Sequence, residues 1–178
     1  MNANNRQCFI QIYTGNGKGK TTAAIGQAIR AAGAGLKTII IMIMKDYPYG
    51  EIKALERYSD FITVEQYGND EFVLKKQIPS EAEKQVAQSA IKRAYEAMLN
   101  KEYDIIILDE VCVSVYFKLI DESDIMPLLD NKPPEVELIL TGRYCPQSWI
   151  GKADLVTEMA EVKHYYQQGI TARRGFES

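Results

Sequence analysis

A chain of 178 residues with 46% hydrophobic and 25% charged side chains is long enough to bury one substantial core and too apolar to remain disordered. Its 21 basic and 24 acidic residues leave a formal net charge of −3, which excludes the broad basic surface expected of a nucleic-acid or anionic-membrane binder. The three cysteines, Cys8, Cys112 and Cys145, are odd in number and far apart, which excludes a disulfide framework and a thiolate zinc site and points to a reducing, cytoplasmic setting. Residues 1–7 lack the apolar core of a signal peptide, and the longest apolar run, 39–44, is too short to span a bilayer, so a soluble, unexported protein is expected.

Short β-branched runs alternate with longer helical stretches, the pattern of βα units that build a parallel sheet covered on both faces. Residues 9–13 read as a first strand. Residues 20–34, alanine-rich and ending near Gly33 and Gly35, read as a helix, and 38–44 as a strand so continuously apolar that it is expected at the centre of the sheet. The turn-like Tyr47-Pro48-Tyr49-Gly50 leads into a short helix over about 51–58 and a strand near 62–66. Ser80 followed by Glu83 forms a capping box that opens the longest helix, running to about residue 100. Residues 103–108 are the next buried strand and end in Asp109-Glu110. After a helical stretch and a Pro133-Pro134 turn, 136–140 is another strand, ending in Thr141-Gly142-Arg143, and 155–157 closes the sheet. Ligands of open α/β sheets bind beyond the carboxyl ends of the strands, so both polar strand ends are candidates for function.

The first strand runs into Thr14-Gly15-Asn16-Gly17-Lys18-Gly19-Lys20-Thr21-Thr22, and a helix follows. Three glycines in five residues let the backbone amides turn inward, and the helix adds its free N–H groups and positive dipole end, a preformed site for a polyphosphate. Lys20 supplies a cation for the outer phosphates, and the Thr21 hydroxyl is placed to ligate Mg²⁺. The strict G-x-x-x-x-G-K-[ST] pattern needs glycine where this chain has Thr14, so the loop is a variant with glycines at 15 and 17. Asp109-Glu110 is the acidic strand end that holds the metal, directly or through water.

Arg143, at another strand end, is placed to clamp phosphate oxygens bidentately. The single histidine, His164, has no second histidine to share a metal, and a local structural hydrogen bond is its expected role. Several of the eleven tyrosines, among them Tyr47, Tyr49, Tyr67 and Tyr144, fall in loops and carry little weight as pocket residues, while Arg173-Arg174 reads as a solvated pair. A phosphate loop establishes nucleotide binding and not the reaction. A guanine-reading Asn-Lys-x-Asp segment is absent, as are a basic track and an arginine-rich lid, which leaves a small-molecule kinase or ATPase, or a group transferase using another part of ATP.

The whole pattern resembles the P-loop type of ATP:corrinoid adenosyltransferase. The resemblance rests on the segment from Gly15 through Ala24, on Ile107-Leu108-Asp109-Glu110, on Leu140-Thr141-Gly142-Arg143 and on Ala153-Asp154-Leu155-Val156-Thr157-Glu158-Met159. Val162-Lys163-His164 followed by Gly169-Ile170 continues it, so that agreement covers nearly the whole chain in order.

The resemblance implies one domain over residues 1–178 with a P-loop (RecA-like) three-layer α/β fold and a mostly parallel central sheet. It implies transfer of the 5′-deoxyadenosyl group from ATP to the Co(I) centre of a reduced corrinoid, with triphosphate leaving and with ATP lying in the loop in reverse sense. A P-loop small-molecule kinase or ATPase is the alternative. Gly15, Asn16, Gly17, Lys18, Gly19, Lys20, Thr21, Thr22 and Arg143 then bind ATP, with Lys20 and Arg143 acting in catalysis and Thr21, Asp109 and Glu110 holding Mg²⁺. A homodimer and an electron-donating reductase or flavoprotein are implied as partners, with no nucleic acid and no membrane. Relatives with a longer N-terminal segment fold it over the site; only about eight residues precede the first strand here, so a lid from a partner subunit is expected. The family's glycine-aromatic segment reads here as Tyr67-Gly68-Asn69-Asp70-Glu71-Phe72, without a tryptophan, and leaves the corrinoid contacts unassigned.

Overall fold

The computed structural model describes residues 6–47, 49–71 and 77–176. Strands β1 (Ile10–Thr14), β2 (Thr38–Ile43), β3 (Ile62–Tyr67), β4 (Ile105–Asp109), β5 (Glu137–Thr141) and β6 (Leu155–Glu158) form one sheet in the order β3-β2-β4-β5-β1-β6, every neighbouring pair parallel. Parallel neighbours need crossovers, and these are supplied by α1 (Lys20–Gly33), α2 (Gly50–Leu55), α3 (Glu81–Leu99), α4 (Val111–Tyr116), α5 (Glu122–Asp130) and α6 (Gln147–Ile150).

All six residues of β2 are buried, and its alternate side chains enter different cores. Ile39, Ile41 and Ile43 pack with Ile106, Leu108 and Leu138 against α3, while Ile40 and Met42 pack with Ile107 and Ile139 against α1. Both helices present alanine to the sheet, Ala87, Ala90, Ala94 and Ala97 from α3 and Ala24, Ala28 and Ala31 from α1. The result is the expected three-layer RecA-like α/β fold. The strand expected at the centre is nevertheless second from an edge, with β4 and β5 in the middle. An unbroken apolar run reports coverage of both faces, not rank within the sheet.

Element boundaries follow local chemistry. The capping box forms as read: the Glu83 N–H donates to Ser80 Oγ at 3.3 Å, and the Ser80 N–H donates to the Glu83 carboxylate at 2.6 Å. The helix expected over 51–58 divides into α2 and a 3₁₀ turn, Glu56–Tyr58. The strand expected over 103–108 is shifted to Ile105–Asp109 because Lys37 O accepts the amides of both Asp104 and Ile105 before the ladder with β2 begins, and the ladder extends to a Met42–Asp109 pair. Helix α6 is too short to show a period in the sequence, yet it carries the fully buried Trp149. No helix among the described residues is long and apolar enough to cross a membrane.

Candidate active site

The carboxyl ends of β1, β2, β4 and β5 meet on one edge of the sheet, and the glycine loop closes over them. Gly15 and Gly19 hold φ of 95° and 120°, where a side chain is strained. A Cβ on Gly17 would stand 2.7 Å from Met159 O, and the Gly17 N–H donates to that same oxygen at 2.6 Å, so the segment after β6 is the bed of the loop. The absent first glycine has a structural reason. Thr14 is still in β1, in register with Glu158 of β6, and an extended residue needs no glycine.

Lys20 is buried, and its ammonium donates to Gly15 O at 2.8 Å and Gly17 O at 2.7 Å. Burial pushes its pKa below the ordinary lysine value, with Glu110 pulling it back up and Arg143 adding to the depression. Beneath the loop lies Asp109, 1% exposed, whose Oδ1 accepts the Thr141 hydroxyl at 2.6 Å and whose Oδ2 accepts Lys45 Nζ at 2.6 Å and the Thr21 hydroxyl at 3.2 Å. Burial works against the Lys45 ammonium, but the charge and hydrogen bond of Asp109 outweigh it and hold the lysine pKa above its usual value.

Glu110 turns the chain with a left-handed φ of 63° as its N–H donates to Thr141 Oγ1 at 3.0 Å. Its carboxylate faces the cleft, and among the described residues no hydrogen bond or ion pair reaches it. Burial raises its pKa and the neighbouring Asp109 raises it further, against the pull of Lys45, Lys20 and Arg143. In the nucleotide-free protein, Glu110→Gln is therefore expected to raise the thermal midpoint near pH 7 by about 2–4 °C. A raised carboxyl pKa means that the folded state binds the proton more tightly than the unfolded chain. Wild-type stability thus falls as pH climbs from the ordinary carboxylate range through the raised value, and is level above it. Melting curves across that range test the sign: the advantage of the variant must vanish in acid, and a variant no more stable at neutral pH would show that the carboxylate is already satisfied.

Arg143 follows Gly142, whose φ of 134° and close approach to Val113 N, 2.9 Å from a built Cβ, swing the chain outward around α4. Its guanidinium is exposed and lines the same cleft as Gly17, Lys18, Gly19, Lys20, Thr21 and Thr22, a cavity of about 720 Å³. Gly15 and Asn16 stand outside the wall, and Asp109 lies under the floor. Phe72 lies outside the described residues, and the Tyr67 hydroxyl is engaged with Glu65 at 2.8 Å.

Lys45, Tyr49, His164 and Phe176 also line the cleft. Lys45 was open to the rule already applied to Asp109 and Arg143, since it is the first charged residue after β2. His164 combines the expected local bond with a place in the wall: its Nδ1 accepts the Tyr166 N–H at 3.1 Å, which in the neutral ring leaves the proton on Nε2. Lys18 donates to Phe176 O, joining the phosphate loop to a late stretch of the chain.

These donors fit a metal shared with phosphate. Among the described residues no cluster of three His, Cys, Asp or Glu side chains could hold a metal alone, but the Thr21 hydroxyl and the Glu110 carboxylate face one cleft, and phosphate oxygens would complete such a shell for Mg²⁺.

Comparison with known proteins agrees with this geometry. The corrinoid adenosyltransferase of Escherichia coli is 31% identical over 176 residues, covering 98% of this chain and 88% of that protein. Corrinoid adenosyltransferase CobA of Salmonella typhimurium is 31% identical over 170 residues, covering 95% and 85%. The crystal structure of flagellar accessory protein FlaH from Methanocaldococcus jannaschii superposes with a TM-score of 0.56 at 14% identity over 85% of this chain and 71% of that one, a likeness of fold alone. The model of the ATP:corrinoid adenosyltransferase BtuR/CobO/CobP family matches residues 6–178, and the chain belongs to that family.

Proposed function

We propose that the protein transfers the 5′-deoxyadenosyl group of ATP to the Co(I) centre of a reduced corrinoid, releasing triphosphate, in the making or salvage of adenosylcobalamin. The observation that carries this reading is family membership across residues 6–178 together with a cleft furnished for a polyphosphate. Family membership weighs against the kinase or ATPase alternative.

Co(I) is itself the nucleophile. Its electron pair forms the Co–C5′ bond as the C5′–O bond breaks, and the departing pair stays on the α-phosphate oxygen of the triphosphate. No proton has to move, so the protein's tasks are to align C5′ and to neutralise the leaving group. ATP lies with its triphosphate along the amides of Lys18 to Thr22 in reverse sense, leaving C5′ open toward the corrinoid. The Gly17 amide is engaged by Met159 O and is not part of that cradle. Lys20 leaves its loop carbonyls for the phosphates, and Arg143, without a protein partner among the described residues, takes phosphate oxygens at the outer wall. His164 donates a hydrogen bond from Nε2–H to the same anion. Thr21 and Glu110 would hold Mg²⁺, and Asp109 orients Thr21 and Lys45 from below. When bound, Mg²⁺ offsets triphosphate charge.

The whole chain 1–178 works as one domain, a reading supported by a sheet that joins its first strand to its last. It works as a cytoplasmic homodimer, with the three unpaired cysteines supporting the compartment, and with a one-electron reductase or flavoprotein supplying the reduced cobalt. The deciding experiment mixes protein, ATP, Mg²⁺ and chemically reduced cobalamin without oxygen. A light-sensitive alkylcobalamin with intact triphosphate is expected; unchanged corrinoid with ADP and phosphate would place the protein among phosphotransferases or ATPases. In the same assay Arg143→Ala is expected to raise the KM for ATP by about 10–100-fold, the worth of a charged hydrogen bond, and to leave corrinoid binding nearly unchanged. The reverse ranking would move Arg143 out of the phosphate site.

A further inference from the structure

Two chain segments leave the cleft side by side. The one after β4 begins with Glu110 and ends α4 at Tyr116; the one after β5 passes Arg143 and reaches Tyr144 one residue later. The two tyrosine rings stack with centroids 4.2 Å apart and planes 30° apart, and Phe117 meets Tyr116 edge-on at 5.3 Å. Both tyrosines stay open to solvent, 58% and 50% exposed, and neither hydroxyl bonds to a described residue. Tyr144 also holds a left-handed φ of 59°, a conformation costly for an aromatic residue. A strained, exposed aromatic stack beside Arg143 gives the fold no buried contact that would account for it.

We propose that the Tyr116–Tyr144 stack is the apolar seat for the corrin macrocycle, a role resting on the adenosyl-transfer reading above. The cleft itself is walled by lysines, arginine and Glu110, which suits triphosphate, and two of its aromatic rings are already under cations, Tyr49 under the Lys45 ammonium at 5.4 Å and Phe176 under the Arg173 guanidinium at 4.7 Å. A broad, flat ring with apolar faces needs a different surface within reach of C5′. Rigid aromatic side chains supply such area at low entropic cost, and this pair is continuous with the cleft through Arg143.

The test uses the full chain with chemically reduced cobalamin and ATP. Tyr116→Ala and Tyr144→Gly are each expected to raise the KM for the corrinoid about tenfold and to leave the KM for ATP and the saturated kcat within about twofold. Tyr116→Phe, which keeps the ring, retains the wild-type value. Tyr144→Gly melts no lower than wild type, since glycine accepts the left-handed backbone, and this separates loss of the seat from misfolding. An unchanged corrinoid KM in both truncations would overturn the proposal, as would variants that change only the sedimenting mass, which would assign the stack to a contact between copies of the chain. If wild type forms adenosylcobalamin and the variants match it, this inference alone fails; wild type that forms none fails the function and the seat together.

Discussion

Lys20→Ala is expected to lower kcat by about 10²–10³-fold, the loss that follows removal of one preorganised donor from a developing anion. The ammonium is the buried cation of the loop, and in the free protein it serves as a strut, bridging Gly15 O and Gly17 O. Its lowered pKa reports a partly desolvated charge whose environment a triphosphate would improve. ATP must therefore displace two neutral carbonyls to reach it, exchanging weak partners for charged ones. Lys20 belongs to neither apolar core, so its truncation leaves the sheet and helices intact. Activity within a few-fold of wild type in a variant with an unchanged melting curve would remove Lys20 from the reaction.

Asp109→Asn is the second large effect, and it falls first on stability. The carboxylate is 1% exposed and serves three donors, Thr141, Lys45 and Thr21, from the end of β4. An amide has the same shape but only one acceptor oxygen, so its NH₂ must face either the Thr141 hydroxyl or the Lys45 ammonium. Lys45, itself only 13% exposed, is left without its counter-charge. Breaking a buried pair from one side costs about 3–5 kcal/mol, and denaturant unfolding should show a loss of that order. Combining it with Lys45→Met should cost less than the sum of the two, because the second change removes the orphan that the first created. Strict additivity would mean that the two groups do not depend on each other in the folded protein.

The parts of this site legible in the sequence are those encoded by neighbours along the chain. The glycine spacing, Lys20, Thr21 and the acidic end of β4 are local patterns with a mechanism attached, and they occur where expected. Lys45 and Thr141 take their importance from a contact with Asp109 across 64 and 32 residues, which no window of sequence displays. The strand-end rule would have flagged Lys45, since it depends on direction alone. His164 makes the expected local bond with one ring nitrogen, and its place in the cleft wall comes from the tertiary fold, which no stretch of sequence displays. Tyr116 and Tyr144 meet only because Gly142 lets the segment after β5 curl around α4.

The strand order has a consequence for how the molecule is made. β1 carries the phosphate loop, yet its two neighbours are β5 and β6, and Ile10 finds Leu138 opposite it while Gln11 finds Leu155. As the chain leaves a ribosome, β1 thus has no partner until β5, which begins at Glu137, has followed, and the loop has no bed until Met159 arrives. Pairings of such long sequence separation are slow to close and leave an apolar edge waiting in the meantime. Nascent chains interrupted before that point can build β2, β3 and β4 but not a nucleotide site, so ATP cannot stabilise a partial product and acts only on the finished one.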